Sequence, residues 1–159
     1  MRVGAPYAAG RGLLSLFMCR NEPGMCGDRE PASGGNRAFV FGAEAVRTPA
    51  VPGDGVTSLG ETCAIRVEDV GAEDYVAAQE RWVERTGGNE LDVVGQLGGR
   101  PVWVQHDETP ACDGCGRPMT FVVQLQEGHD DRNAANFGGG GCGYGFRCGP
   151  CGSAAFLWQ

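Results

Sequence analysis

The sequence predicts an α+β, sheet-dominated fold with pseudo-duplicated β-hairpin halves, one main helix and a zinc-ribbon-like C-x-x-C…C-x-x-C site. Three observations carry this prediction. Short apolar runs closed by Gly and turn residues recur from Gly12 to Trp158, the pattern of strands. A single stretch, Asp69–Arg85, spaces its apolar residues three and four apart, as a helix does. Eight cysteines in 159 residues include two C-x-x-C turns, a cross-link of the kind a thinly cored chain needs.

The elements follow in order. Gly12–Cys19 (GLLSLFMC) is a short apolar run starting at a Gly and reads as a buried strand; Asn21-Glu22-Pro23-Gly24 then turns the chain. Ala38–Phe41 is a second strand, and the Pro, Gly and Asp content from Thr48 to Gly60 marks a connection. In the helix, Tyr75, Ala78, Trp82 and Arg85 share a face that packs Tyr75 and Trp82 onto a sheet, and Gly87-Gly88 stops it. Pro101–Gln105, Met119–Gln126, Cys142–Cys148 and Ala154–Trp158 read as strands, with a polar and then Gly-rich loop over Glu127–Gly141.

The two ends of the chain align with each other. Gly12–Cys19 matches Gly141–Cys148 in the positions of Gly, Phe and Cys; a second cysteine follows in each copy (Cys26, Cys151), then an apolar strand (Ala38–Phe41, Ala155–Trp158). The organisation expected is a first, incomplete β half-repeat over 1–44, a linker and helix over 45–90, and a second half-repeat with the knuckles over 91–159, together one compact domain.

Composition excludes several functions. Leu, Ile, Val and Phe total 31 of 159 residues, just under the ~20% below which highly charged chains tend to disorder, but a net charge of −7 is modest. All 13 basic residues are Arg, so a P-loop lysine and a Schiff-base lysine are both missing. The acidic balance argues against a phosphate-backbone binder, and no apolar run approaches the ~20 residues of a membrane span. The first residues lack the charged-then-apolar order of a secretory leader, so the expected compartment is the cytosol, where clustered cysteines serve as metal ligands.

Cys112-Asp113-Gly114-Cys115 and Cys148-Gly149-Pro150-Cys151 are the two knuckles. Four thiolates suit one tetrahedral Zn²⁺, and a site closed by four cysteines has no open position for catalysis, so its expected role is structural. The 32 residues between the knuckles exceed the usual spacing, which a hairpin of Met119–Gln126 and Cys142–Cys148 would absorb by returning the chain to the metal. Cys19 and Cys26 are the counterpart of the second knuckle and admit three readings. They are small buried residues left from a repeat, or they form a second metal site with Cys63, His106 or His129, or the chain extends upstream of Met1. Cys63 and Cys142 read as buried thiols, His106 and His129 as members of polar loops, and Gly138–Gly141 resembles a phosphate cradle only superficially, since a strand follows it.

Gly98-Gly99-Arg100-Pro101-Val102-Trp103-Val104-Gln105 resembles the GG-x-P-x-W-x-Q segment of the YwqG-like bacterial proteins of unknown function. Met119–Leu125 and Gly140–Phe146 are similar to the strands that follow it there. Phe17-Met18-Cys19-Arg20-Asn21 and Pro23-Gly24-Met25-Cys26 resemble the F-x-C-x-N…C segment of the programmed cell death protein 2 family. The resemblance covers 98–159 well, 11–41 fairly and 45–90 not at all. It implies a sheet-dominated, pseudo-duplicated fold with metal on the knuckles and, for the eukaryotic relatives, a chaperone-like grip on a ribosomal protein. The chain departs from the pattern by lacking a knuckle before Cys19.

The expected function is a non-enzymatic, zinc-stabilised protein-binding module, chaperone- or adaptor-like toward a basic client. The acidic pairs Glu68-Asp69, Glu73-Asp74, Asp107-Glu108 and Asp130-Asp131 would steer such a client. The alternatives are a toxin-immunity protein, a nucleic-acid-binding zinc ribbon, disfavoured by scattered arginines, and an enzyme using Cys142 or a loop histidine.

Overall fold

The computed structural model describes residues 12–19, 26–27, 29–42, 64–128 and 135–159. Six strands form one antiparallel sheet: β1 (Leu13–Met18), β2 (Asn36–Phe41), β3 (Gly95–Leu97), β4 (Thr120–Gln126), β5 (Cys142–Cys148) and β6 (Ser153–Trp158). Their order is β1-β2-β6-β5-β4-β3, so the β1–β2 hairpin lies beside the β5–β6 hairpin. The two hairpins join through β2 and β6 at Phe39 opposite Ser153. Among the described residues, no helix is long and apolar enough to cross a membrane.

The alternation of β5 (CGYGFRC) decides what each face holds. Tyr144 and Phe146 point to one face with Ala155 and Leu157 of β6, where Trp103 and Phe121 pack against them. Gly143 and Gly145 point to the other and leave room for large neighbours: a Cβ on Gly143 would lie 2.7 Å from the Phe137 ring, and one on Gly145 2.7 Å from Val123 Cγ1. Leu14, Leu16, Val123, Phe137, Phe156 and Trp158 fill this second face.

Among the described residues there is one α-helix, α1 (Tyr75–Thr86), and it begins six residues later than the expected Asp69. Asp74 sets the start: its carboxylate accepts the Ala77 N–H at 2.9 Å, satisfying an amide the helix leaves open. Gly87, at φ +67°, ends it by donating its N–H to the Val83 carbonyl. Tyr75 is buried and its hydroxyl donates to Val93 O, while Trp82 lies against Gly88. The helix also ties to the 3₁₀ turn Glu90–Asp92 that follows it, where Gln79 Nε2 donates to Glu90 O at 3.1 Å.

Pro101–Gln105 is the second departure: it is no strand. Side chains take the place of a neighbouring strand. Gln124 Oε1 accepts Val102 N–H at 2.8 Å, the Tyr144 hydroxyl donates to Val102 O at 2.9 Å and accepts Val104 N–H at 3.2 Å, and Gln159 Oε1 accepts Gln105 N–H at 3.1 Å. The segment becomes a strap that presses Trp103 onto Tyr144, with ring centroids 4.4 Å apart.

Candidate metal centre

Both knuckles are hairpin tips. The first is held by a narrow ribbon, in which Cys112 N–H donates to Arg117 O and Met119 N–H to Pro110 O, each at 2.8 Å. The second is the β5–β6 turn itself, with Cys148 ending β5 and Ser153 opening β6. In each, the Gly after the second cysteine adopts the left-handed conformation, Gly116 at φ +68° and Gly152 at φ +64°, and donates its N–H to the carbonyl of the first cysteine. The β4–β5 hairpin carries the chain away from the first knuckle and back to the second, as the long spacing between them required.

The sulfurs of Cys112, Cys115, Cys148 and Cys151 all lie within 4.8 Å of one another, and those of Cys115 and Cys148 are 3.7 Å apart. Four thiolates at ~2.3 Å around a tetrahedral ion sit about 3.8 Å from each other, so this set fits such an ion. Gly114 allows the approach, because a Cβ there would sit 3.3 Å from Cys151 Sγ. Cys112 and Cys148 are buried while Cys115 and Cys151 are exposed, leaving one side of the cluster open to solvent.

The electrostatics are those of crowded thiols. The Ser153 hydroxyl, 3.2 Å from Cys112 Sγ, and the Gly114 amide bring Cys112 down to about 6. Hydrogen bonds with Cys115, Cys112 and Cys148 push Cys151 up to about 12. One thiolate forms readily and the last resists, so a cation is what would let four coexist near neutrality. Ser153 carried no signal in the sequence beyond its place two residues after Cys151.

The other residues singled out in the sequence fall elsewhere. Cys19 and Cys26 are half-buried, with sulfurs 3.4 Å apart. His106 is on the surface, 3.0 Å from Glu108. Cys142 is buried at the far end of β5, takes a 3.7 Å contact from Gln124 Nε2, and burial pushes its thiol up, which disfavours a nucleophilic thiolate. Cys63 and His129 lie outside the described residues.

The Gly-rich loop holds an anion, but one from the chain itself. The Glu127 carboxylate accepts the amides of Phe137, Gly139 (3.1 Å) and Gly140 (2.6 Å). Burial opposes its charge, yet these three donors outweigh that and hold the carboxyl below its ordinary value. Several members of the acidic pairs have local partners as well: Glu68 pairs with Arg85 and Arg66, Asp74 caps α1, and Asp107 binds Thr109.

One apolar feature stands out on the face that carries the knuckles. Phe17, Phe39 and Phe41 project there from β1 and β2 at 56%, 45% and 39% exposure. Phe39 stands between the other two, with ring centroids 5.9 Å from Phe17 and 6.1 Å from Phe41.

No protein-family model matches the chain, and no solved structure matches it. Over 64 residues, 40% of its length, the chain is 38% identical to the uncharacterized protein YpfL of Salmonella typhimurium. The match spans 14% of that protein, so the likeness is to a part of a longer relative.

Proposed function

We propose that this chain is a Zn²⁺-stabilised protein-binding module of the YwqG-like type, acting as a chaperone or adaptor toward a basic protein in the cytosol. The observation that carries the reading is the aromatic row Phe17–Phe39–Phe41. Three large rings held at fixed spacing on a sheet are apolar surface ready to meet a partner. A net charge of −7 favours encounter with a positive partner. The knuckles support the reading by their chemistry: an all-thiolate set suits Zn²⁺, which would hold the hairpin tips together without offering a catalytic position. The side-by-side hairpins, joined through β2 and β6, support two half-repeats, the first of which carries the partly exposed aromatic row.

The test is capture of basic ribosomal proteins, stripped from ribosomes at high salt, by the immobilised zinc-loaded chain. Capture at low salt that weakens near ~0.5 M salt and is lost in Phe17→Ser/Phe39→Ser supports the reading. The reading fails if capture is absent, or if the variant captures as well as the wild type.

A further inference from the structure

We infer, resting on the protein-binding reading above, that the cleft between the first knuckle and the loop before β2 takes one apolar side chain of a basic partner segment, with a neighbouring arginine or lysine of that segment held over the knuckle. The cleft encloses about 270 Å³. Buried Met119 and Ala155 lie in it together with exposed Ala32 and Ala111, so the loop before β2 and the ribbon of the first knuckle frame it. Ala32, Ala111 and Ala155 reach no further than Cβ, which leaves the hollow open. Small-molecule sites usually occupy about 300–1,000 Å³, so the size here suits a single side chain. Met119 and Ala155 belong to the core on the knuckle face, and their apolar atoms favour an apolar occupant.

The charge beside the hollow selects the sign of the partner. Asp113, inside the first knuckle, lines the cleft together with exposed Cys151 of the second. Among the described residues the Asp113 side chain has no ion pair or hydrogen bond, whereas Glu68, Asp74, Asp107 and Glu127 have local partners. With a divalent ion bound, four thiolates outnumber its charge, so the centre is itself an anion with one side open to solvent. Among the residues that line the cleft there is no cation. Arg29, just before the framing loop, lies over the Trp158 ring, 4.9 Å from its centroid, among the aromatics of the sheet's other face. A guanidinium or ammonium over the knuckle would meet both negative groups, while a phosphate would be repelled, which sets nucleic acid aside. The cleft also runs into the aromatic row, because Ser153, which lines it, stands opposite Phe39 in the β2–β6 pair. A filled pocket beside exposed rings is the arrangement of an anchor within a wider contact.

The experiment titrates the full zinc-loaded, ¹⁵N-labelled chain with the capped heptapeptide GGRLRGG and follows its amide shifts by NMR. Two controls replace the leucine by serine (GGRSRGG) or the arginines by glutamate (GGELEGG). The expected result is saturable shifts at the amides of Ala32, Ala111, Asp113 and Ala155. GGRSRGG is expected to bind at least about tenfold more weakly, the factor that burial of a leucine side chain supplies. GGELEGG, and GGRLRGG on Asp113→Asn, are expected to bind more weakly too. Ala111→Trp fills the cleft from its exposed edge and is expected to abolish the shifts; should it not fold, the wild-type comparison of the three peptides decides. The proposal is overturned if no saturable shift reaches these amides at millimolar peptide, if the leucine and serine peptides bind alike, or if GGELEGG binds as well as GGRLRGG. It is also overturned if the same amides shift with protein concentration alone, which would make a second copy the occupant. Binding of GGRLRGG in the cleft without capture of ribosomal proteins removes the client proposed above and keeps the cleft. Capture without cleft shifts does the reverse.

Discussion

Tyr144 is the pin of the strap, and replacing it by Phe isolates that role, since the substitution removes one oxygen and keeps the ring. The ring is fully buried against Trp103 and Leu157, so packing is retained. What is lost is one hydrogen bond to Val102 O at 2.9 Å and one from Val104 N–H at 3.2 Å. Each such bond contributes about 0.5–1.5 kcal/mol net, and a buried group left without a partner costs at the upper end of that range. The two together give a loss of about 1–3 kcal/mol. For a chain of this size each kcal/mol lowers Tm by about 2–4 °C, so the shift expected is roughly 2–12 °C. Thermal unfolding of the zinc-loaded protein followed by circular dichroism reads the shift, and hydrogen exchange at the Val104 amide reads the bond directly. A Tm within about 1 °C of wild type, with Val104 exchange unchanged, would refute the idea that side chains replace a strand here.

Gly145→Ala places a methyl 2.7 Å from Val123 Cγ1 and 3.2 Å from Leu16 Cδ1; urea unfolding is expected to show a loss of about 1–3 kcal/mol, and an unchanged midpoint would mean that face has slack. Glu127 gives a pH signature. Its folded-state pKa is depressed, so its contribution is full above the ordinary carboxylate pKa of about 4.3 and is lost as pH falls through the lower folded value. The stability gap between wild type and Glu127→Gln, measured in urea, is therefore expected to be constant from pH 7 to 5 and to shrink toward pH 3; a gap that widens in acid would reverse the assignment. Phe39→Ser alters an exposed ring, so it is expected to change stability by less than about 1 kcal/mol in the same urea titration while weakening capture of a basic partner.

Five of the six strands were legible because their signals are local: an apolar run between turn residues for β1 and β2, aromatic–glycine alternation in β5, and cysteines marking the ends of β5 and β6. The knuckles were legible from spacing alone, and their hairpin connection from the length between them. The strap was misread because Val102, Trp103 and Val104 carry strand-like residues, while the groups that bind their backbone, Gln124, Tyr144 and Gln159, lie 22 to 54 positions away. The helix start was misplaced because Asp69 and Asp74 are both cap-type residues; Asp69 instead accepts the Gly71 N–H in a local turn, and Asp74 caps α1. Strand β3 was missed because three residues carry no period. Glu127 escaped notice for the opposite reason to the knuckles: a carboxylate meeting amides 10 to 13 residues on leaves no pattern in the sequence. The glycines that follow Cys115 and Cys151 were not singled out in the sequence, and both adopt the left-handed conformation that closes a knuckle turn.

The central claim is that Cys112, Cys115, Cys148 and Cys151 hold a structural zinc ion, and zinc per chain in wild type and in Cys112→Ser/Cys115→Ser tests it most directly. The account predicts that the variant carries one zinc fewer than wild type and unfolds at lower temperature or denaturant, since metal binding is coupled to folding. Wild-type protein purified under reducing conditions without chelator that contains no zinc, or a variant that retains the full wild-type count, would contradict it.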